Sequence, residues 1–407
     1  MKRSTLLSIM TVCLLLLLAA CGNGGSNANT NTDGEASANT ASGAAANATS
    51  NTGTADAAGA ADGPITINQD LPDKDILSKG PDGESAVSAK TLSLSPEDLA
   101  KVKAGNYTAA ISMHYAGNDW SAAQLKGLKD TFAKMNIEIV ATTDANFKAE
   151  TQVANIETIL AKKPNILVSI PVDAVSTASA YKKAAAQGVK LVFMDNKAAG
   201  LAAGKDYVSV VSADNYGNGV EAAGILAKAI GGEGDIGVIY HDADFFVTKQ
   251  RTEAFEKTIK ESYPNIRIVE RGGIAGPNDG EKVAAAMLTK HPKLKGMFVV
   301  WDVPAEGAMA AARSAGRTDL AISTIDLGTN VALEIAKGGM IKGLGAQLPY
   351  DQGVAEAILA AYALLGKETP PYVAVPALPV NQENILDSWK TVYHADAPKT
   401  IQDAAKK

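Results

Sequence analysis

Residues 166–195 read ILVSIPVDAVSTASAYKKAAAQGVKLVFMD, and this segment shows the alternation of strand and helix that defines the fold class. The apolar runs Ile166–Ile170 and Lys190–Met194 have the length and composition of buried strands, while Ala174–Ala186 between them has helical spacing. A strand, a helix and a second strand in this order form a βαβ unit with parallel strands. Parallel sheets covered by helices are buried on both faces, and their strands are therefore continuously apolar.

The same alternation runs from residue 107 to residue 346. The other predicted strands are Tyr107–Met113, Ile137–Thr142, Tyr207–Ser212, Asp235–Tyr240, Ile266–Glu270, Gly296–Val300, Ala321–Ile325 and Ile341–Ala346. The other predicted helices are Ala122–Lys134, Lys148–Lys162, Gly219–Ile230, Thr248–Glu261 and Glu281–His291. Because twisted open sheets seldom reach about ten strands, the pattern predicts an α/β protein with two doubly wound, Rossmann-like lobes.

The N-terminus has the pattern of a secretory signal peptide over residues 1–20, with Lys2 and Arg3 before an apolar run. That run is about 15 residues long, whereas a membrane span needs roughly 20. The ending Leu18–Cys21 resembles the lipobox of bacterial lipoproteins, in which the cysteine is lipidated. We therefore expect Cys21 to anchor the protein to the bilayer, on the outer face of the membrane in the cell envelope.

The chain between this anchor and the alternating pattern has two parts. Residues 21–63 consist almost entirely of Asn, Thr, Ala, Gly and Ser, which predicts a disordered tether. Residues 64–105 are a mixed N-terminal extension that we expect to pack on the outside of the domain. Within it, the sequence Ser95-Pro96-Glu97-Asp98 predicts a helix start with Ser95 as N-cap.

Composition argues against several functions. The formal net charge is −6 and there is no basic stripe, so nucleic-acid binding is not expected. The two cysteines, Cys13 and Cys21, both precede the folded part, which therefore has no disulfide or thiol chemistry. The four histidines are scattered and no nucleophile or phosphate-loop motif is present, so we expect no enzyme activity, metal or cofactor. Gly217–Ala222 fits a dinucleotide-binding pattern, but it lies mid-chain where a helix cap is expected.

Ligands of parallel sheets bind beyond the carboxyl ends of the strands, where this chain places acids, amides and aromatic residues. These residues are His114, Tyr115, Asn118, Asp119, Trp120, Asp195, Asn196, His241, Asp242, Asp244, Phe245, Phe246, Trp301, Asp302, Asp326 and Gln347. Carboxylates and amides can bind neighbouring hydroxyls, and aromatic rings offer flat faces to the C–H side of a sugar ring. The set indicates a small polyhydroxylated ligand, although a single such Asp can also cap the next helix and a Trp can belong to the core.

The stretch from Tyr107 to Pro379 resembles the sugar-binding periplasmic proteins of ABC transporters, the ribose-binding-protein-like group. Six segments carry the resemblance, and their order and spacing add to it. They are Asn118-Asp119-Trp120 (Asn-Pro-Phe in the family), Gly188–Asp195, Ser212–Asn215, Gln250–Phe255 (Glu-Arg-Gly-x-x-Phe), Thr324-Ile325-Asp326 (Gly-Phe-Asp) and Ala346–Pro349 (Ala-Gln-Leu-Pro).

The resemblance implies a role for each residue at these positions. Asn118 and Trp120 would contact ligand from the first lobe, and Asp195 would bind paired hydroxyls. Arg251, Asp326 and Gln347 would close on it from the second lobe or the hinge. The complete predicted ligand-binding set is Asn118, Trp120, Asp195, Asn196, Arg251, Trp301, Asp302, Asp326, Gln347 and His114. The family often has Arg at the position of Asn196 and Asn-Asp at Trp301-Asp302, so a bulky indole reshapes this pocket.

The resemblance also implies a type 1 periplasmic binding architecture, with lobes joined by a three-strand hinge. The first lobe would comprise residues 106–213 and 348–375, and the second residues 214–347 and 376–407. A lipid-anchored monomer would capture a small sugar or polyol in the cleft and deliver it to an ABC permease. Alternatives are a ligand-presenting subunit for a chemotaxis or sensor-kinase system, and a binder of another polar solute such as a quorum-sensing molecule. A transcription repressor shares the architecture, but a signal and tether stand here where its DNA-binding segment would be.

Overall fold

The structure is a computed structural model that describes residues 63–406. The predicted signal peptide, Cys21 and the tether up to residue 62 lie outside the described residues. Every strand and helix predicted between residues 107 and 346 is present, with ends that differ by a few residues. In the described part no helix is both long and apolar enough to span a bilayer.

The strands form three sheets. In chain order they are β1 (Ile65–Thr66), β2 (Val87–Ser88), β3 (Ser93–Leu94), β4 (Thr108–Met113), β5 (Glu138–Asp144), β6 (Ile166–Ser169), β7 (Lys190–Met194), β8 (Ser209–Ala213), β9 (Gly234–His241), β10 (Ile266–Ile274), β11 (Gly296–Val299), β12 (Ala321–Ile325), β13 (Ile341–Ala346), β14 (Tyr372–Val375) and β15 (Leu378–Asn381).

Helices cover the sheets, and two short 3₁₀ turns lie at Ala89–Thr91 and Pro277–Asp279. The helices are α1 (Pro96–Ala104), α2 (Asp119–Lys134), α3 (Ala149–Ala161), α4 (Ala178–Ala186), α5 (Asn215–Ala229), α6 (Phe246–Ser262), α7 (Gly280–Lys290), α8 (Asp302–Ser314), α9 (Thr329–Ala336), α10 (Pro349–Leu364), α11 (Ile385–Tyr393) and α12 (Lys399–Ala405).

The two large sheets confirm the predicted α/β class. A seven-stranded sheet has the order β2-β14-β8-β7-β6-β4-β5, and all its pairs are parallel. A six-stranded sheet has the order β10-β9-β11-β12-β13-β15 and is parallel except at β15. We call the first sheet with its helices the first lobe and the second sheet with its helices the second lobe. Because the strands are parallel, their carboxyl ends lie at one edge of each sheet. The strand order reverses within both sheets, and ligands of such sheets bind beyond the carboxyl ends at this point.

The chain passes between the lobes at three places. It leaves β8 of the first lobe for α5, which packs on β12 and β13 of the second. It returns from β13 to α10, which packs on α2 and β7. It crosses again between β14 and β15, which belong to different sheets. The residue boundaries proposed for the lobes stay a prediction.

The N-terminal extension is more closely integrated than an outer layer would be. β2 adds a parallel strand at one edge of the first sheet, and β1 pairs with β3. The carboxylate of Asp214, just after β8, accepts hydrogen bonds from Leu77 N at 3.0 Å and from Ser78 N and Oγ at 2.9 Å each. Ser95 caps α1 as predicted, because its Oγ accepts from Asp98 N at 3.1 Å.

Two glycines allow α2 and α10 to approach closely. A Cβ on Gly127 of α2 would lie far inside van der Waals contact with the Tyr350 carbonyl, and one on Gly353 of α10 would meet the Gln124 carbonyl at 2.5 Å. Both obstacles are backbone, which cannot move without shifting a helix. α10 also packs on β7, the strand that precedes Asp195, and Trp120 is the second residue of α2.

We predict that Gly127→Ala destabilises the protein by about 2 kcal/mol, because overpacking outweighs the gain in helix propensity. Denaturant unfolding measures the difference. Gly224→Ala in α5 is the matched control, since a Cβ there lies an ordinary 3.6 Å from the Tyr263 hydroxyl; it should stabilise the protein by about 0.5–1 kcal/mol. Equal stabilisation by both variants would contradict the close approach.

Candidate functional site

A cavity of about 70 Å³ lies between the facing strand ends of the two lobes. From the first lobe it is lined by His114, Tyr115, Asn118, Trp120, Phe147, Ile170 and Asp195. From the second lobe and the second crossing it is lined by His241, Phe245, Val247, Thr248, Arg251, Pro277, Trp301, Asp326 and Gln347. Eight of the ten residues predicted to bind ligand are therefore brought together here.

The other two predicted residues do not line this cavity. Asn196 is buried, and its Oδ1 accepts a hydrogen bond from Phe246 N at 3.1 Å. Asp302 is the first residue of α8, where its Oδ1 accepts from Val303 N at 2.8 Å and its carboxylate abuts Gly328. Each side chain gives one oxygen to a helix N-terminus, which is the competing role of an Asp or Asn at a strand end, while the Nδ2 of Asn196 has no partner among the described residues.

Several lining residues received no role from the sequence. Tyr115 and Phe245 are strand-end residues without an assigned role. His241 is a strand-end residue that the sequence offers as a ligand hydrogen-bonder or a plain loop residue, and the predicted ligand-binding set does not include it. Phe147 follows β5, so the strand-end rule applied to that strand would have found it. Val247 and Thr248 lie on the first turn of α6, where the pattern shows only a helix face; they had no sequence signal.

A larger surface groove of about 1060 Å³ lies elsewhere, between the extension, α2, α10 and α11. Its walls are helix sides and the strand β1 rather than the carboxyl ends of parallel strands. The set of acids, amides and rings gathered by both sheets is absent from its lining. We therefore place the functional site in the smaller cavity.

Arg251 organises the second-lobe wall of the cavity. The guanidinium is buried; its Nε donates to Asn215 Oδ1 at 2.8 Å, and its Nη1 donates to the Val300 carbonyl and to Asp326 Oδ2, both at 3.3 Å. Gln347 Nε2 donates to the other oxygen of Asp326 at 2.8 Å. A buried carboxylate held by charge and by hydrogen bonds on both oxygens has a fixed orientation toward the cavity.

Asp195 faces this wall from the first lobe and is held differently. Its Oδ1 accepts from Ser212 Oγ at 2.7 Å and from Gln352 Nε2 at 3.4 Å, while its Oδ2 has no hydrogen-bond partner among the described residues. Burial raises the pKa of Asp195 to about 6, against the opposing effects of the Ser212 hydrogen bond and the Arg251 charge. One oxygen of this acid is thus free to bind a donor in the cavity.

The backbone at both acids is unusual. Asp195 has φ 54° and Asp326 has φ 70°, so each lies in the left-handed region. Asp tolerates that region better than most residues, but strain there is typical of functional positions that the surrounding structure holds in place. The bend turns each carboxylate out of its strand, at the edge where the two sheets face each other.

Aromatic rings form the remaining walls. His114 stacks on Phe245 of the other lobe, with ring centroids 5.7 Å apart, and meets Trp120 edge-on at 6.2 Å. His241 meets Trp301 edge-on at 5.2 Å. Burial lowers the pKa of His114 to about 3, so this imidazole is neutral near neutral pH and offers one donor and one acceptor.

Three buried polar atoms on lining residues have no hydrogen-bond partner among the described residues. They are Nε1 of Trp120, Nδ1 of His114 and Oε1 of Gln347. A buried polar atom without a partner is costly, and a hydrogen-bonding ligand in the cavity would satisfy these three. Twelve further atoms of this kind lie on described residues outside the lining, so the three count together with the acids beside them. Within the described residues no group of three or more His, Cys, Asp or Glu side chains is arranged to hold a metal ion.

Comparison with known proteins identifies the family. The model of the periplasmic binding protein domain matches residues 109–369. The chain is 24% identical to the ribose import binding protein of Salmonella typhimurium over 282 residues, which are 69% of this chain and 92% of that protein.

Two solved ABC transporter solute-binding proteins from Agrobacterium vitis share the fold. One, bound with α-D-tagatopyranose, has a TM-score of 0.66 at 24% identity, covering 70% of this chain and 99% of that one. The other, with bound allitol, has a TM-score of 0.62 at 23% identity, covering 70% and 98%.

Because the family model covers more than half of the chain, the protein belongs to the periplasmic binding protein family. The resemblance seen in the sequence is confirmed, and so is the type 1 architecture of two doubly wound lobes.

We predict that Asp195→Asn has a larger free energy of unfolding than the wild type. This gap should increase by about 2 kcal/mol between pH 4 and pH 6. Because burial raises the folded-state pKa of Asp195, the wild type loses stability as pH rises from the unfolded pKa toward 6. Denaturant unfolding at intervals across this range measures the gap.

Asp173→Asn is the control for this prediction. Hydrogen bonds from Ser176 lower the pKa of Asp173, so its stabilising effect is present above the unfolded-state pKa and is lost only at lower pH. The gap for Asp173→Asn should therefore stay nearly constant between pH 4 and pH 6. A gap for Asp195→Asn that is constant with pH would contradict the assignment of a desolvated carboxyl.

Proposed function

We propose that the protein captures a small neutral sugar or polyol in the interlobe cavity and delivers it to an ABC transporter permease, without catalysing a reaction. The observation that carries this proposal is the set of hydrogen-bonding atoms left over at the cavity wall. Asp195 Oδ2 and Gln347 Oε1 offer acceptors, Trp120 Nε1 offers a donor, and His114 Nδ1 offers one or the other. Hydroxyl groups, which donate and accept, satisfy such a mixed set.

The charges of the site support a neutral ligand. Arg251 is the only Arg or Lys among the lining residues, and its guanidinium is already bound to Asp326, Asn215 and a carbonyl. An anionic ligand would meet Asp195 and Asp326 with no free cation to offset them. A neutral polyhydroxyl compound places O–H donors on these acids and requires no new charge to be buried.

The aromatic walls support a ligand with C–H faces. Rings from both lobes bound the cavity, including Trp120 and Trp301. The relatives support a sugar or polyol, because one is a ribose import binding protein and two solved structures hold a tagatopyranose and allitol. We therefore place the ligand of this chain among pentoses, hexoses and their polyols.

Closure of the lobes is the means of capture and presentation. Asp195 and Trp120 contact the cavity from the first lobe, and Arg251 and Asp326 from the second. Because both walls bind ligand only when the cleft is shut, ligand favours the closed arrangement. A permease that recognises the closed form then receives mainly loaded protein. The predicted lobe boundaries and a monomeric state are part of this proposal.

We predict that calorimetry against a panel of pentoses, hexoses and polyols gives one tight ligand with a stoichiometry of one. Asp195→Ala and Asp326→Ala should each weaken its binding at least about 100-fold, because hydroxyls lose charged acceptors. Asp244→Ala is the control: this acid also follows β9 but is exposed and outside the cavity, so its effect should stay within about twofold. A panel without binding, or equal losses in all three variants, would contradict the proposed site.

The proposal also includes anchoring through a lipidated Cys21. We predict that the wild type sediments with membranes after cell fractionation, whereas Cys21→Ser appears in the soluble fraction, because a sulfur-linked lipid cannot form on Ser. Sugar binding should be equal in the two proteins. Sedimentation of both with membranes would contradict lipidation at this residue.

A further inference from the structure

Two side chains of the first lobe cap helices of the second lobe. Asp119, the first residue of α2, accepts a hydrogen bond on Oδ2 from Thr329 N at 2.7 Å. Thr329 is the first residue of α9, and the N-cap position of that helix is Gly328, which has no side chain. The first turn of α9 therefore obtains its side-chain acceptor from the opposite lobe.

The second contact repeats this arrangement on another helix. Asn196, two residues after the end of β7, accepts on Oδ1 from Phe246 N at 3.1 Å. Phe246 is the first residue of α6, whose N-cap residue, Phe245, provides no capping hydrogen bond. Asn196 was predicted to touch ligand, but the structure occupies its amide oxygen with this helix instead.

The two caps depend on closure. The first backbone N–H groups of a helix have no partner within the helix. A side-chain acceptor for one of them typically raises the equilibrium constant for the state that contains the bond several-fold. The Asp119 carboxylate adds a favourable interaction with the positive end of α9. Since both acceptors lie on the first lobe and both helices on the second, opening the cleft breaks both bonds and leaves the N–H groups to water.

Both caps adjoin the ligand site without entering it. Asp119 stands between the lining residues Asn118 and Trp120, and Asn196 follows the lining residue Asp195. Neither Asp119 nor Asn196 lines the cavity. Their contribution to ligand binding therefore passes through the position of the lobes.

We propose that Asp119 and Asn196 are positioning residues that form an interlobe latch, which sets the closed fraction of the protein and thereby its affinity for ligand. The predicted effect on affinity rests on the proposed function, because it needs the ligand. The predicted effect on closure does not, because it is measured without ligand. When closure is needed for tight binding, the apparent Kd is the intrinsic Kd divided by the closed fraction. Loss of one cap should weaken binding about fivefold, and loss of both about 25-fold, because caps on separate helices act independently.

The first experiment measures closure without ligand. Nitroxide labels on Glu157→Cys and Lys282→Cys, which are exposed on the first and second lobes, report the interlobe distance in a chain that also carries Cys13→Ser and Cys21→Ser. We expect a short-distance population in the otherwise unchanged protein that shrinks when Asp119→Ala and Asn196→Ala are combined. Identical distributions in the two proteins would overturn the latch, whatever the ligand is.

The second experiment measures affinity and dissociation with D-ribose and xylitol as probes. Asp119→Ala and Asn196→Ala should raise the Kd through faster dissociation, followed by stopped-flow tryptophan fluorescence, and Asp119→Asn should keep most of the affinity because it retains an acceptor. Asp173→Ala is the control, since Asp173 accepts from Ser176 N at 2.6 Å within the first lobe and its loss should leave the Kd unchanged.

The outcomes separate the two proposals. Unchanged Kd and dissociation rate in the double variant would overturn the latch while leaving sugar binding intact. If neither probe nor any other sugar binds the wild type, the proposed function fails, and the label distances alone decide on the latch. A loss of affinity with Asp173→Ala equal to that of Asp119→Ala would overturn the latch as well, because a hydrogen bond within one lobe cannot act through closure.

Discussion

The buried guanidinium of Arg251 is the interaction on which the rest of the site depends. It connects α6, which carries it, to Asn215 at the start of α5, to the end of β11 and to Asp326 at the end of β12. Removing it would leave the Asp326 carboxylate buried without its countercharge, a change that costs several kcal/mol in proteins. The hydrogen bonds of Arg251 and Gln347 therefore orient the Asp326 carboxylate, and the other side chains of the second-lobe wall are arranged around this acceptor.

The single positive charge of Arg251 does not balance all the buried carboxyl groups around it. Asp195 lies opposite with its pKa raised to about 6 by burial, and burial together with the Asp326 charge raises the pKa of Asp302. A region with more buried carboxyl groups than cations is less stable than an apolar core and gains from any partner that donates hydrogen bonds. Hydroxyl groups supply these donors without adding charge. The excess of carboxyl groups in the cleft is therefore compatible with the sugars and polyols that similar solved structures hold.

Much of this could be predicted from sequence because the strand-end rule depends only on topology. The apolar runs located the strands, and the rule then identified Asp195, Asp326 and Trp120 in the cavity before any geometry was known. It does not separate residues that face the cavity from residues whose side chains bind a helix end, and the structure places Asn196 and Asp302 at helix N-termini outside the cavity lining. That distinction depends on the three-dimensional position of α6 and α8, which no local pattern contains. The tie between Asp214 and the N-terminal extension was also invisible, since its partners are more than 130 residues apart.

The decisive measurement is a crystal structure of the protein with its tightest-binding sugar. We expect one sugar between the lobes, with hydroxyls on Oδ2 of Asp195 and on the Asp326 carboxylate and the ring face against Trp120. The Arg251–Asp326 pair should be unchanged. A sugar bound in another groove, or one in the cleft that leaves both carboxylates without a hydroxyl partner, would contradict it.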